Sequence, residues 1–140
     1  MVLKSSTNKS ILINSDTSSV GKICNLLLEE LRGKNYAPEE VFAIHLALEE
    51  AMINAVKHGN KFDPAKKVDV NYTISDEKFE ITVTDQGSGF SYKNLPDPRL
   101  EENLYKPCGR GVLLMRSYMD VVEFNETGNA VHMIKYKAKH

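Results

Sequence analysis

Between Pro38 and Gly59 the chain carries a helix-period stretch that is apolar on almost every side. Stepping about 100° per residue from Leu48 brings Val41, Ile44, Ala51, Met52 and Ala55 within about 60° of it, which predicts the main core stripe. Glu50 and Asn54 fall together on the far side, near ~200° and ~240°, one turn apart. A plain surface helix would make that far face wholly polar, yet Leu46, Ile53, Ala43 and Ala47 flank the pair. The pattern predicts a helix buried on two sides. A half-buried carboxylate and amide then need partners, which a bound ligand with a metal would supply. Periodicity alone leaves a second arrangement open, in which Glu50 and Asn54 face solvent and Leu46 and Ile53 pack on a loop. Pro38 suits a first helical turn, Glu39 and Glu40 suit the positive end of the helix dipole, and Gly59 suits a C′ stop after a run to about His58.

The flanking segments set the layout. A short β-leaning run, Ser10 to Asn14, is followed by Asp16-Thr17-Ser18-Ser19, rich in N-cap residues, and then by Val20, Ile23, Cys24, Leu27, Leu28 and Leu31 at helical spacing up to Gly33. Val68, Val70, Tyr72 and Ile74 alternate with polar residues, a turn follows at Ser75 to Lys78, and Phe79, Ile81 and Val83 alternate again. This predicts an antiparallel hairpin with one wet face. Residues 91–108 hold no steady period and contain Pro96, Pro98 and Pro107, so they read as a long loop. Gly109-Arg110-Gly111 ends it, Val112 to Met119 reads as a short helix, and a last hairpin turns at Glu126 to Asn129. The Lys-rich tail 137–140 is expected to fray. Strand, helix, helix, two strands, loop, helix, two strands is most economically an α+β, two-layer α/β sandwich, a mainly antiparallel sheet covered on one face by helices. The 140 residues predict one domain over 1–140.

Composition narrows the partners. Lys plus Arg number 18 against 19 Asp plus Glu, a net charge of −1, which argues against a general nucleic-acid binder but leaves room for a local phosphate site. No apolar run is long enough to span a membrane, and residues 1–10 lack the apolar core of a signal peptide. Two cysteines, Cys24 and Cys108, make neither a metal spacing nor a disulfide scaffold. These features point to a cytoplasmic setting.

Two glycine-rich turns carry the chemistry. Asp85-Gln86-Gly87-Ser88-Gly89-Phe90 follows a strand; its glycines permit a close backbone approach, and an acid at the strand end can accept a hydrogen bond from a ring amino group. Gly109-Arg110-Gly111 precedes a helix, where backbone N–H groups suit phosphate. Each alone is a weak signal. In combination and order they are specific. Glu50-Ala51-Met52-Ile53-Asn54-Ala55-Val56-Lys57-His58-Gly59-Asn60 resembles the N-box of the Bergerat-fold ATPases (the gyrase, Hsp90, histidine kinase and MutL group). Residues 85–90 resemble their first glycine box, and Gly109 to Arg116 resemble the second. Within that group the sequence is most similar to the stand-alone anti-sigma-factor serine/threonine-protein kinases, over roughly residues 10–136.

The resemblance implies a site residue by residue. Asn54 matches the asparagine that coordinates Mg²⁺ on the nucleotide phosphates, and Glu50 the acid that activates the attacking hydroxyl. Asp85 matches the acid that reads the adenine amino group, and Gly87 and Gly89 the turn beneath base and ribose. Gly109 and Gly111 match the phosphate-loop glycines, with Arg110 placed to reach a phosphate; residues 91–108 match the ATP lid. The resemblance implies ATP and Mg²⁺ as cofactors, an anti-sigma-factor antagonist and a sigma factor as competing partners, and a homodimer through the N-terminal strand and helix. The charge balance, not the resemblance, is what predicts no direct contact with nucleic acid. Many relatives carry a small hydroxyl residue in the last hairpin, and here Ala130 to His132 has none, leaving Thr127 in the turn. Glu49 adjoins Glu50, but the one-turn relation to Asn54 selects Glu50. Two other classes stay open: a nucleotide-binding switching module without transfer, and a detached histidine-kinase catalytic domain. His58 reads as a helix-end residue, Cys24 as core, and His45, His132 and His140 as scattered.

Overall fold

The computed structural model describes residues 7–87 and 107–138, with the backbone alone at 7 and 107–110. The elements are β1 (Thr7–Asn14), α1 (Thr17–Gly33), α2 (Pro38–Ile53), a π turn (Asn54–Gly59), β2 (Lys67–Ile74), β3 (Lys78–Thr84), α3 (Pro107–Tyr118), β4 (Val121–Phe124) and β5 (Ala130–Tyr136). The strands form one five-stranded sheet in the order β1-β2-β3-β5-β4, and every neighbouring pair is antiparallel. Alternation decides the faces. Val68, Val70, Tyr72 and Ile74 of β2 and Phe79, Ile81 and Val83 of β3 are buried in one cluster with the helices, while the residues between them stay at least partly exposed. This is the α+β two-layer arrangement that the alternating segments predict.

The helices are held as their termini dictate. Asp16 caps α1 by accepting from the Ser19 N–H at 2.7 Å; removing such a cap costs about 1 kcal/mol. The apolar side of α1, including Leu27 and Leu31 at 0% exposure, enters the core. At the start of α2, Glu40 reaches back to the Ala37 N–H at 2.7 Å. Its other oxygen accepts from the Ala138 N–H at 2.6 Å, and the Lys137 N–H donates to the Glu77 carbonyl at 2.9 Å. Lys137 and Ala138 are therefore tied to the body rather than frayed, Ala138 by the buried Glu40 carboxylate and Lys137 by the Glu77 carbonyl; residues 139–140 lie outside the described residues.

Two boundaries differ from expectation. The stretch from Pro38 does reach Gly59, but it is α-helical only to Ile53; over Asn54–Gly59 it widens to π geometry, seen in the Asn60 N–H bond to the Ala55 carbonyl five residues back at 2.8 Å. Such widened turns concentrate at functional sites. Helix α3 starts at Pro107, not Val112, so Gly109, Arg110 and Gly111 sit inside its opening turns. Pro107 reads as a breaker in sequence but suits a first helical position, where no backbone N–H is required. Apart from 107 and 108, the segment matched to the lid, 91–108, lies outside the described residues.

Candidate active site

Helix α2 packs against α1 and α3 and over the sheet, which leaves its far face half-buried rather than solvated. The neighbour on that face is the opening of α3. A Cβ on Gly111 would lie 2.9 Å from Glu50 Oε2 and 3.1 Å from Asn54 Nδ2, so a larger residue here would require the tips of both side chains to shift. The arrangement with Glu50 and Asn54 simply facing solvent is thereby excluded. Gly111, Glu50 and Asn54 make one corner of the site.

A second corner forms around Asp85, just past the end of β3. Asp85 is 9% exposed, and its Oδ1 accepts from the Gly87 N–H at 2.8 Å. Burial pushes its carboxyl above the ordinary value of 3.8, against the smaller opposing pull of the Gly87 N–H and Lys66. Two glycines make room for it. A Cβ on Gly59 would fall on the Asp85 carboxyl group, and a Cβ on Gly87 would fall on the Gly59 carbonyl. Gly59 is thus required for space. Its expected role as a left-handed C′ residue is corrected: among the described residues Gly128 is the glycine with positive φ, and Asn60 closes the turn instead.

Between the corners lies a pocket that opens to solvent. Asn54 and Asp85 both line it, and its walls are largely apolar, with Ala51, Ala55, Val83, Val112, Met115 and Val131. Its composition fits a flat, hydrophobic ring with one acid to read a polar edge. Asn54 and Glu50 offer adjacent hard oxygen donors, a set that fits a cation drawing most of its ligands from phosphate and water.

Of the predicted residues, the structure brings Glu50, Asn54 and Gly111 together and joins Asp85 with Gly87. Gly109 and Arg110 lie on the same helix opening, one and two residues before Gly111, with their backbone alone described; Gly89 lies outside the described residues. His58 borders the pocket with an exposed side chain. His45 pairs with Glu49 at 2.9 Å and His132 with Glu80 at 2.5 Å, both away from the pocket. Cys24 is buried, and burial pushes its thiol up to about 12. Sequence reasoning missed Gly59's steric role, the buried Asn60, and Asn129, which borders the pocket and bonds the main chain of Asp85. Asn60 stands within the N-box segment, but its partners are distant in sequence and no spacing announces them.

The family model described as histidine kinase-like ATPase domain matches residues 13–135, the span that contains both corners. The chain belongs to the histidine kinase-like ATPase family. Among curated proteins, this family member is 33% identical over 110 residues to the anti-sigma F factor of Oceanobacillus iheyensis, covering 72% of this chain and 73% of the relative. It is 29% identical over 108 residues to the serine-protein kinase RsbW of Bacillus subtilis, covering 72% and 68%. The crystal structure of the RsbU and RsbW domains of a Mycobacterium tuberculosis protein superposes with a TM-score of 0.65 at 14% identity, covering 95% of this chain and 33% of that one. That likeness concerns the fold. No helix among the described residues is long and apolar enough to cross a membrane.

Proposed function

We propose that this histidine kinase-like ATPase is an anti-sigma factor and serine/threonine-protein kinase, which moves the γ-phosphoryl group of ATP to an antagonist protein in a partner-switching pathway. The observation that carries the reading is Gly111 packed over both Glu50 and Asn54, at a pocket that Asp85 also lines. The kinship with proteins named anti-sigma F factor and serine-protein kinase RsbW supports it.

In this reading Asp85 accepts a hydrogen bond from the adenine amino group while the apolar walls hold the ring. Gly87 and Gly89 keep the chain close to base and ribose. Asn54 presents its amide oxygen to Mg²⁺, and Gly109, Arg110 and Gly111 steady the phosphates from the opening of α3. When bound, Mg²⁺ supplies positive charge that offsets the phosphate charge during transfer. Glu50, one turn from Asn54, orients the acceptor hydroxyl and takes its proton. The acceptor is a serine or threonine of the antagonist, which competes with a sigma factor for this protein in the cytoplasm. A second copy of the chain pairs through β1 and α1. β1 is an edge strand, and the groove between it and α1 exposes Leu12 at 69% and Leu26 at 44%.

Radiolabelled ATP incubated with candidate antagonists tests the reading: label on a serine or threonine is expected. One observation favours a second reading, nucleotide binding without transfer. The β5 wall of the pocket is Ala130 and Val131, and the nearby Thr127 hydroxyl is engaged by Asn129 at 2.6 Å. Tight Mg-ATP binding with no labelled partner would select that alternative.

A further inference from the structure

The peptide plane that follows Asp85 is gripped at both ends by asparagine side chains. Its carbonyl, that of Asp85, accepts from Asn129 Nδ2 at 3.2 Å. Its N–H, that of Gln86, donates to Asn60 Oδ1 at 2.7 Å. The plane's orientation sets the backbone dihedral of Asp85 and so the direction from which its carboxylate leaves the chain. A second bond reinforces the grip, since the Asp85 N–H donates to the Asn129 carbonyl at 2.8 Å.

Asn60 is built in more firmly than a surface amide would be. It is 0% exposed. Its Nδ2 donates to Ser15 Oγ at 2.9 Å and to the Lys67 carbonyl at 3.0 Å, so every side-chain bond it makes reaches a different segment. Ser15 in turn donates to the Lys66 carbonyl at 2.6 Å. Gln86 closes the loop by accepting from the Lys67 N–H at 2.5 Å. Directly after Asn60, Lys61 and Phe62 hold φ of 53° and 57°, a left-handed pair that non-glycine residues seldom adopt. Backbone held in such a state persists only where its surroundings over-determine it, and such places concentrate at ligand sites. A buried amide is costly unless fully bonded, so an apolar residue would suit a purely structural plug. Asn60 instead spends two bonds fixing its own amide to Ser15 and Lys67 and the third on the peptide that follows Asp85.

The geometry points to Asn60, with Asn129, as positioning residues that aim Asp85 and thereby select adenine. The inference rests on the proposed contact between Asp85 and the adenine amino group. Neither asparagine touches the base in this scheme; both act through the direction of the Asp85 carboxylate.

The test compares ADP with IDP, which replaces the amino group with a carbonyl, by calorimetric titration of the full chain carrying Asn60→Ala, Asn129→Ala or Asp85→Asn. The wild-type protein is expected to favour ADP by about 10-fold or more, as a charged hydrogen bond warrants. Asp85→Asn should erase the preference. Asn60→Ala and Asn129→Ala should each shrink the ADP-to-IDP ratio several-fold while leaving IDP affinity within about twofold, because only the amino-group contact depends on the aim of Asp85. A merely structural role would weaken both nucleotides equally. An equal loss, or an unchanged ratio, in a folded asparagine variant overturns the clamp while an Asp85→Asn loss keeps the base-reading assignment. A wild-type protein indifferent between ADP and IDP overturns both. If Asn60→Ala fails to fold, Asn129→Ala, whose side chain sits at the partly exposed hairpin, decides the matter alone.

Discussion

The two corners of the pocket are built to different tolerances. Around Asp85 the chain is locked: the acid is 9% exposed, its following peptide is bonded at both ends, and Gly59 and Gly87 meet backbone and carboxyl at distances no side chain could share. Around Glu50 and Asn54 the contact with Gly111 involves the tips of two side chains that are themselves only half-buried. Rigid surroundings suit the base-reading role proposed for Asp85, because a preorganised hydrogen bond needs no rearrangement on binding. In the proposed reaction the other corner admits triphosphate, cation and an acceptor hydroxyl, and side chains with room to adjust suit that sequence of arrivals.

The sharpest break between the corners is in the chemistry step. Glu50→Gln preserves shape and removes the proposed base, so phosphoryl transfer should fall by about 10²–10⁴-fold while ADP affinity stays within about twofold. Radiolabel transfer and titration calorimetry read the two quantities separately, and undiminished transfer would remove Glu50 from the reaction. A paired substitution comes next. Gly59→Ala forces a methyl into the Asp85 carboxyl and should lower ADP affinity by about 10–100-fold, since the locked corner cannot yield without the kind of strain that overpacking imposes. Gly111→Ala meets flexible side-chain ends at 2.9 and 3.1 Å and should cost ADP less than about 10-fold. Equal losses in the two variants would erase the proposed difference in stiffness. Asn54→Ala should reduce nucleotide affinity in the presence of Mg²⁺ and change it little with the ion chelated; an effect independent of Mg²⁺ would assign Asn54 to the pocket wall alone.

What could be read beforehand divides along the same line. The β2–β3 hairpin, the Asp16 cap and the stripe of α1 are local: period and capping chemistry lie within a few residues of one another, and they stand as the alternation predicts. The pairing of Glu50 with Asn54 on one face was legible for the same reason. The start of α3 was not, because Pro107 serves equally as a loop breaker and a first helical residue, and only packing chooses. The π turn adds one residue to a helical turn without changing which residues are apolar, so no periodicity reveals it. Gly59 looked like a stop signal; its true constraint comes from Asp85, far along the chain. Asn60 and Asn129 were invisible for that reason too: an asparagine's worth is set by which distant peptide it meets.

The smallest expected effect probes what the locked corner costs the empty protein. Burial raises the Asp85 carboxyl above its ordinary 3.8, so the folded state disfavours the charged form relative to the unfolded chain. For a raised carboxyl, the associated stability is fully present below the unfolded value and is lost as pH rises through the folded one. Near neutral pH the whole cost is therefore in place. Asp85→Asn keeps an acceptor for the Gly87 N–H and removes the charge, so without nucleotide this variant should melt above wild type near pH 7. The gap should close as pH falls toward 3.8, where the wild-type carboxyl also becomes neutral. The same variant should lose its preference for adenine, which would make Asp85 a residue retained against stability for recognition. Matching melting temperatures at neutral pH would mean that the Gly87 N–H and Lys66 offset the burial fully, and that the rigidity of this corner carries no penalty of charge.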